Sequence, residues 1–216
     1  MKVLITGTSS GIGRAIAEKF IIEGHQVIGF DILPTRIVAN NYTHMIVDVT
    51  KILPEIDGVE ILINNAGVQD EETNISVNLE GAIKVTEKYG FQPAIKSILH
   101  MASSSAHTGA EFPLYAASKG GFLAYTKNVA QRIIEISPKA TVNSISPGGV
   151  LTDMNKHILE NENLMEQVLA ETLLGRWMEP EEVGEWAYFM TTINKSATGI
   201  DILIDNGEFA KCNFIW

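Results

Sequence analysis

Seven short apolar runs, most of them separated by longer amphipathic stretches, constrain the fold of this chain more than any other feature. Short apolar runs are typical of buried strands, and the stretches between them have the pattern of helices. The alternation predicts an α/β fold, in which a doubly wound, mostly parallel sheet of about seven strands carries helices on both faces. The runs cover residues 3–5, 27–30, 45–47, 61–63, 98–101, 142–145 and 202–204.

The length of 216 residues and the 45% share of apolar residues allow one well-buried core. We therefore expect a single domain over residues 1–216. Within it, residues 151–177 have a helical pattern without a strand. Residues 31–48 leave little room for a helix, and Pro34 in this link favours an irregular connection. The segment 67–78 is also short.

Charge and composition exclude several classes of function. A formal net charge of −10 argues against binding DNA or RNA, which requires clustered lysine and arginine. The single cysteine, Cys212, cannot form an internal disulfide, and no apolar run is long enough to span a membrane. The N-terminus lacks the pattern of a signal peptide. We therefore expect a soluble, cytoplasmic protein with no membrane partner.

No metal site is expected from the sequence. The acidic run at residues 70–72 is interpreted as a solvated loop before a helix. His100 and His107 have no partner at a recognisable ligand spacing, so neither is assigned a role.

A glycine-rich turn, Thr-Gly-Thr-Ser-Ser-Gly-Ile-Gly at residues 6–13, joins the first apolar run to an amphipathic stretch. In such a turn Gly7 permits the tight reversal, Gly11 lets the backbone approach a phosphate, and Gly13 lets the helix pack against the sheet. The helix start behind the turn is where a dinucleotide pyrophosphate would bind. Taken alone, the turn is also compatible with a simple tight connection.

Tyr115 and Lys119 lie four residues apart, so on a helix they share one face. An ordinary tyrosine has a pKa of about 10, and a neighbouring cation lowers it by stabilising the phenolate. The pair is therefore a candidate proton donor. Pairs at this spacing are also common on amphipathic helices that carry out no chemistry.

These two motifs are joined, in order, by Asn-Asn-Ala-Gly at residues 64–67, by Ser103 and by Pro-Gly-Gly at residues 147–149. Over essentially its whole length the chain resembles the short-chain dehydrogenase/reductase family. The resemblance implies a Rossmann-type fold, a homodimer or homotetramer, and hydride transfer between NAD and a secondary alcohol or ketone. Two alternatives stay open: an NADP-dependent reductase of the 3-oxoacyl-acyl-carrier-protein type, and a non-catalytic dinucleotide-sensing protein.

The resemblance implies a role for each catalytic candidate. Tyr115 is the general acid in carbonyl reduction and the base in alcohol oxidation. Lys119 lowers the pKa of the phenol and binds the nicotinamide ribose. Ser103 polarises the substrate carbonyl, with Ser104 as the fallback because the spacing to Tyr115 is one residue short, and Asn78 holds a water of a proton relay. Ser104 and Ser105 are otherwise interpreted as turn residues.

Asp31, at the tip of the second predicted strand, indicates the cofactor. Its carboxylate would accept hydrogen bonds from both hydroxyls of the adenosine ribose and repel a 2'-phosphate, so NAD is favoured over NADP. Arg14 and Arg36 keep NADP as the weaker option. The resemblance assigns the remaining cofactor contacts to Gly7, Ser9, Ser10, Gly11, Ile12, Gly13, Asp48, Val49, Asn65, Ala66, Gly67, Tyr115, Lys119, Pro147, Gly148, Gly149, Val150 and Thr152.

The substrate is expected to contact residues 151–177 and the short loop after Gly67, where the family varies most. The apolar residues of the first segment fit a substrate wall or a helix packing face equally well. They are Met154, Leu159, Leu164, Met165 and Leu169.

Overall fold

A computed structural model describes residues 1–70, 72–110 and 112–211. Glu71 of the acidic run, Cys212 and the apolar tail beyond it lie outside these residues. The expectations made for Glu71 and Cys212 stay predictions. We further expect the apolar tail to be buried at a subunit contact, and this too stays a prediction.

Seven parallel strands form one sheet, with the order β3-β2-β1-β4-β5-β6-β7. This confirms the predicted doubly wound parallel sheet. The strands are β1 (Lys2–Thr6), β2 (Gln26–Asp31), β3 (Tyr42–Ile46), β4 (Ile61–Asn64), β5 (Ser97–Met101), β6 (Thr141–Pro147) and β7 (Asp201–Ile204).

Central and edge strands differ in burial. Every residue of β4, β5 and β6 is buried, as expected for strands covered on both faces. The third predicted run was placed slightly too late and was wrongly expected to be buried, because β3 lies at the sheet edge. Its register pairs Val27 with Tyr42 and Asp31 with Ile46, and the Ile46 side chain is 64% exposed.

Helices cover both faces of the sheet. One face packs under α1 (Gly11–Ile22) and α7 (Pro180–Tyr188), and the other under α2 (Ala82–Tyr89) and α4 (Pro113–Ile133). A π-helical turn, Ile75–Gly81, leads directly into α2. A capping box between Glu179 and Glu182 fixes the start of α7. No helix in the described part of the chain is both long and apolar enough to cross a membrane.

The irregular connections between strands agree with those predicted from the sequence. Residues 32–41 and 47–60 contain no helix, which confirms the irregular connection after β2. The short helix α3 (Ser105–Thr108) lies between β5 and α4. Residues 151–177 contain a short 3-10 turn (Asp153–Asn155), α5 (Lys156–Leu159) and α6 (Glu162–Ala170). None of the three elements in this segment contains a fully buried residue.

Candidate active site

A cleft of about 1100 Å³ opens at the carboxyl ends of the strands. β1 pairs with β2 on one side and with β4 on the other, so the chain reverses its direction across the sheet at this point. In doubly wound folds a crevice forms at such a reversal, and dinucleotides bind there. The glycine turn lines the cleft.

The glycine turn is held by close contacts on both sides. Gly7 has a φ of +78° and donates its N–H to Phe30 O at 2.7 Å. A Cβ added to Gly7 would lie 2.8 Å from Nδ2 of Asn65. One added to Gly13 would lie only 1.9 Å from the carbonyl oxygen of Gly7. Only glycine therefore fits at these positions, and α1 approaches the turn at backbone distance.

The N-terminus of α1 fits a phosphate. Its N-cap residue, Ser10, makes no side-chain hydrogen bond to the helix, and Gly11, Ile12 and Gly13 of the first turn line the cleft. Backbone N–H groups at a helix start attract anions because the helix dipole places partial positive charge there. These residues therefore fit the pyrophosphate of a dinucleotide.

Asp31 lines the cleft beside this turn and is oriented by two backbone groups. Ser9 N donates to its Oδ2 and Leu33 N to its Oδ1, both at 2.9 Å. Each oxygen keeps a lone pair for a ligand hydroxyl. Ser9, which was also assigned to the cofactor, does not line the cleft. Its hydroxyl donates to Leu33 O and connects the turn to the link after β2.

Further along the cleft, the ends of β3 and β4 contribute polar and apolar groups. Asp48 accepts hydrogen bonds from the Thr50 hydroxyl at 2.7 Å and the Thr50 N–H at 2.8 Å, and these bonds lower the pKa of Asp48. Nδ2 of Asn65 donates to Thr6 O at 3.1 Å, which fixes the end of β4 against β1. Val49, Ala66 and Gly67 also line the cleft.

Tyr115 and Lys119 reach the same cleft from α4. Lys119 is 5% exposed and its Nζ donates to Met101 O at 2.9 Å. That nitrogen lies 5.6 Å from the ring centroid of Tyr115 and 5.4 Å from that of Phe122. The helical spacing thus brings cation and phenol together on the face turned to the cleft.

Ser103 is buried at the end of β5 and belongs to a hydroxyl pair. Its Oγ accepts from Ser105 Oγ at 3.0 Å and from Ser105 N at 3.2 Å. Both lone pairs of Ser103 are thereby used, so its own proton is left for another acceptor. Interpreting Ser105 only as a turn residue missed this contact. The signal in the sequence was a second hydroxyl two residues after Ser103.

Asn78 lies on the π-helical turn behind the wall of the cleft. Its Oδ1 accepts from Val68 N at 2.7 Å and its Nδ2 donates to Val68 O at 2.9 Å. A Cβ on Gly67 would lie 3.2 Å from Oδ1 of Asn78 and 3.5 Å from Nζ of Lys119. Asn78 therefore fastens the loop after β4 close to the lysine.

A second cavity of about 250 Å³ adjoins the cleft and is lined by Ser103, Ser104 and Tyr115. Gly148, Gly149 and Val150 line it too, and three further residues assigned to the cofactor line both spaces: Ile12, Pro147 and Thr152. A Cβ on Gly149 would lie 2.2 Å from the Trp177 indole, so this ring packs directly on the backbone after β6.

The apolar residues predicted for the substrate segment are mostly not the ones that face this cavity. Of the predicted residues, Met154 lines both spaces. The second cavity is also lined by Ile158 and Val168, which were not predicted from the sequence. Leu159 is exposed. The segment is a series of short helices, so a single helical period could not identify the facing side.

The histidines take structural positions. His100 is fully buried, its Nδ1 lies 2.8 Å from the Thr126 hydroxyl, and burial lowers its pKa to about 3. Nε2 of His107 pairs with Asp201 at 2.8 Å. Among the described residues, no group of His, Cys, Asp and Glu is arranged to hold a metal ion.

Known proteins are similar to this chain over most of its length. A family profile described as enoyl-(acyl carrier protein) reductase matches residues 38–208. The 3-oxoacyl-acyl-carrier-protein reductase of Aquifex aeolicus is 30% identical, with 95% of this chain and 96% of the relative covered. A short chain dehydrogenase of Penicillium brasilianum, prhI, is also 30% identical, with 94% and 95% covered.

Solved structures agree with the fold. The ligand-free aldohexose dehydrogenase of Thermoplasma acidophilum has a TM-score of 0.88 at 24% identity and covers 100% of this chain and 96% of its own. A putative gluconate dehydrogenase from Agrobacterium tumefaciens has a TM-score of 0.85 at 25% identity, with 98% and 96% covered. Together with the sequence relatives, the parallel sheet and the glycine turn, these matches show that the chain belongs to the short-chain dehydrogenase/reductase family.

Proposed function

We propose that this protein is an NAD-dependent oxidoreductase that transfers a hydride between nicotinamide and a secondary alcohol or ketone. One observation carries the proposal. Tyr115 and Lys119 line the same cleft as the glycine turn, and Tyr115 also lines the adjoining cavity with Ser103. A proton donor, a cation and a second hydroxyl thus meet where a dinucleotide site joins a smaller pocket.

Each residue has a defined task in carbonyl reduction. When bound, the dinucleotide supplies or accepts the hydride. Tyr115 gives its proton to the carbonyl oxygen, and the charge of Lys119 stabilises the phenolate that remains. Ser103 donates its free O–H to the same oxygen, because Ser105 occupies its lone pairs. In alcohol oxidation the same groups act in reverse.

We retain Asn78 as the residue of a proton relay. From the described residues its Oδ1 accepts one hydrogen bond, from Val68 N, and so keeps a lone pair for a relay water. The closeness of Gly67 to both Asn78 and Lys119 supports a path between them.

The preference for NAD rests on Asp31. Its two backbone hydrogen bonds hold the carboxylate in the cleft, where a 2'-phosphate would be repelled. We expect NADH to bind at least about tenfold more tightly than NADPH, and Asp31→Ser to reduce that ratio to about one. Fluorescence titration of both cofactors measures it. Tighter NADPH binding by the wild-type protein would overturn the assignment.

The second candidate, NADP-dependent 3-oxoacyl-acyl-carrier-protein reduction, is favoured by the names of the sequence relatives. The two activities are separated by following absorbance at 340 nm. Turnover of a 3-oxoacyl thioester with NADPH, faster than of simple ketones with NADH, would support the second. Cofactor binding without turnover of any alcohol, ketone or thioester would instead support a dinucleotide-sensing protein.

Three further expectations belong to this proposal. Residues 151–177 form the substrate segment of a single domain, the protein is a homodimer or homotetramer, and it resides in the cytoplasm. Sedimentation at micromolar concentration tests the assembly, and a monomer alone would contradict it.

A further inference from the structure

Glu208 reaches the second cavity from the turn that follows β7. Its Oε2 lies 3.3 Å from the position that a Cβ on Gly148 would take, so the carboxylate rests against the backbone after β6. Ser103 and Tyr115 line the same cavity. Because this cavity has a volume of about 250 Å³, a substrate that reaches the two hydroxyls lies in the field of Glu208.

Glu208 is an exposed residue whose carboxylate is partly removed from water, and it forms no ion pair with a cation among the described residues. Burial raises its pKa, and the nearby charges of Asp205 and Glu171 raise it further. Asp205 is occupied by the N–H groups of Gly207 at 3.0 Å and Phe209 at 2.7 Å. Glu171 lines the same cavity, but its charge is compensated, because Nζ of Lys211 lies 3.8 Å from its Oε2 and forms an ion pair with it. A partly desolvated carboxylate without a donor is stabilised by a ligand that supplies one.

The rest of the cavity wall limits the size and polarity of that ligand. Ile158, Val168 and Trp177 provide apolar surface. The volume of about 250 Å³ corresponds to about eight water-sized groups. The cavity therefore fits a short carbon chain with one polar group at the reacting hydroxyls and another at Glu208.

We propose that Glu208 is a specificity-determining residue that selects small alcohols and ketones with a hydrogen-bond-donating group, an ammonium or a hydroxyl, at the end away from the reacting carbon. The same charge excludes substrates that end in a carboxylate or phosphate. This inference rests on the proposed function, since it treats the second cavity as the substrate pocket.

The test uses a matched set of short methyl ketones that end in methyl, hydroxyl, ammonium or carboxylate. The full-length wild-type protein is compared with Glu208→Gln, which keeps the size of the side chain, and with Glu135→Gln, which removes the charge of an exposed glutamate outside the cavity lining. For each ketone kcat/KM is measured with NADH. The equilibrium Kd is measured separately, with the protein saturated by NAD.

We expect the wild-type protein to favour the ammonium over the carboxylate ketone by at least about tenfold in both kcat/KM and Kd. Glu208→Gln should bring the two within about threefold, while Glu135→Gln should leave the ratio unchanged. Equal binding of the two ketones by the wild-type protein, or an unchanged ratio in Glu208→Gln, would overturn the inference.

Failure of the proposed function gives a different result. If no ketone is turned over but the binding ratio still depends on Glu208, the selectivity stands and the hydride chemistry does not. If the ketones are turned over at equal rates whatever their terminal group, the hydride transfer is supported and the role of Glu208 is refuted.

Discussion

The cleft and residues 151–177, the proposed substrate segment, differ in how tightly their residues are packed. In the cleft, Gly13 approaches the Gly7 carbonyl at backbone distance, and Asn65 ties β4 to β1. The helices of residues 153–170 contain no fully buried residue, and their region is held at a few points, such as the Asn155 Nδ2 bond to Val150 O at 2.8 Å. A family can therefore vary its substrate while the dinucleotide geometry stays fixed.

Tyr115 lies where these two regions meet, so its removal should separate their functions. Tyr115→Phe should lower kcat by about 10³-fold, because the proton donor is lost, and should change the Kd for NADH by less than about twofold. Steady-state kinetics and cofactor titration measure the two effects. Tyr125→Phe on the same helix, which loses the hydrogen bond to Glu87 at 2.9 Å, is the control and should retain activity. Turnover by Tyr115→Phe near the wild-type rate would disprove the role of the phenol.

Gly13 tests the tightly packed region directly. Gly13→Ala would place a methyl group 1.9 Å from Gly7 O, so we expect a loss of about 3 kcal/mol in the free energy of unfolding, together with weaker NADH binding. Gly120→Ala is the matched control, since the added Cβ would meet no atom within 4 Å beyond its chain neighbours and the backbone of its own helix, and alanine favours the helix by up to about 1 kcal/mol. Urea denaturation measures both. Equal stability of the two variants would contradict the packing argument.

The buried His100 predicts how acid affects the central sheet. Burial lowers its pKa from 6.5 to about 3. Between pH 3 and pH 6.5, His100 is therefore protonated in the unfolded chain and neutral in the folded one. Stability is therefore complete above pH 6.5 and falls as the pH decreases toward 3. From about pH 7.5 to about pH 5 the loss is about 2 kcal/mol.

Urea denaturation at both pH values, compared with His100→Gln, isolates this effect from that of His25, whose pKa burial also lowers. The variant should lose about 2 kcal/mol less than the wild-type protein on acidification. Should the variant not fold, NMR titration of the wild-type His100 ring decides the matter. A pKa near 6.5 would contradict the burial.

The smallest expected effect lies on the substrate side. Ser105→Ala removes one of the two hydrogen bonds that orient Ser103, so kcat should fall about tenfold, with KM and the NADH Kd changed by less than about twofold. Ser196→Ala, at an exposed serine that lines neither the cleft nor the second cavity, is the control and should act like the wild-type protein. A rise in KM at constant kcat would mean that Ser105 shapes the pocket without orienting the hydroxyl.

The sequence predicted the tightly packed region better than the open one, for a physical reason. Glycine at positions 7 and 13 and the four-residue spacing of Tyr115 and Lys119 are local requirements, and a linear sequence contains them. Which side chains of residues 151–177 face the cavity depends on where each short helix begins and ends. Ile158 and Val168 were therefore missed, although Met154 was identified.

Contacts distant in sequence account for the remaining differences. β3 was expected to be buried, but its position at the sheet edge follows from strand order, which an isolated apolar run does not encode. Glu208 reaches Gly148 only because β7 lies beside β6. Ser105 was the exception, since its partner lies two residues away and the contact could have been predicted.

The π-helical turn at Ile75–Gly81 makes the catalytic region sensitive to chain length. Such a turn contains more residues than an α-helical one, and here it directs Asn78 at both backbone groups of Val68. Deleting one residue before Asn78 would rotate the following side chains by about 100° and release the loop beside Lys119. In any relative with the same π-helical turn, deletion of one residue in this stretch should therefore reduce activity more than most point substitutions there.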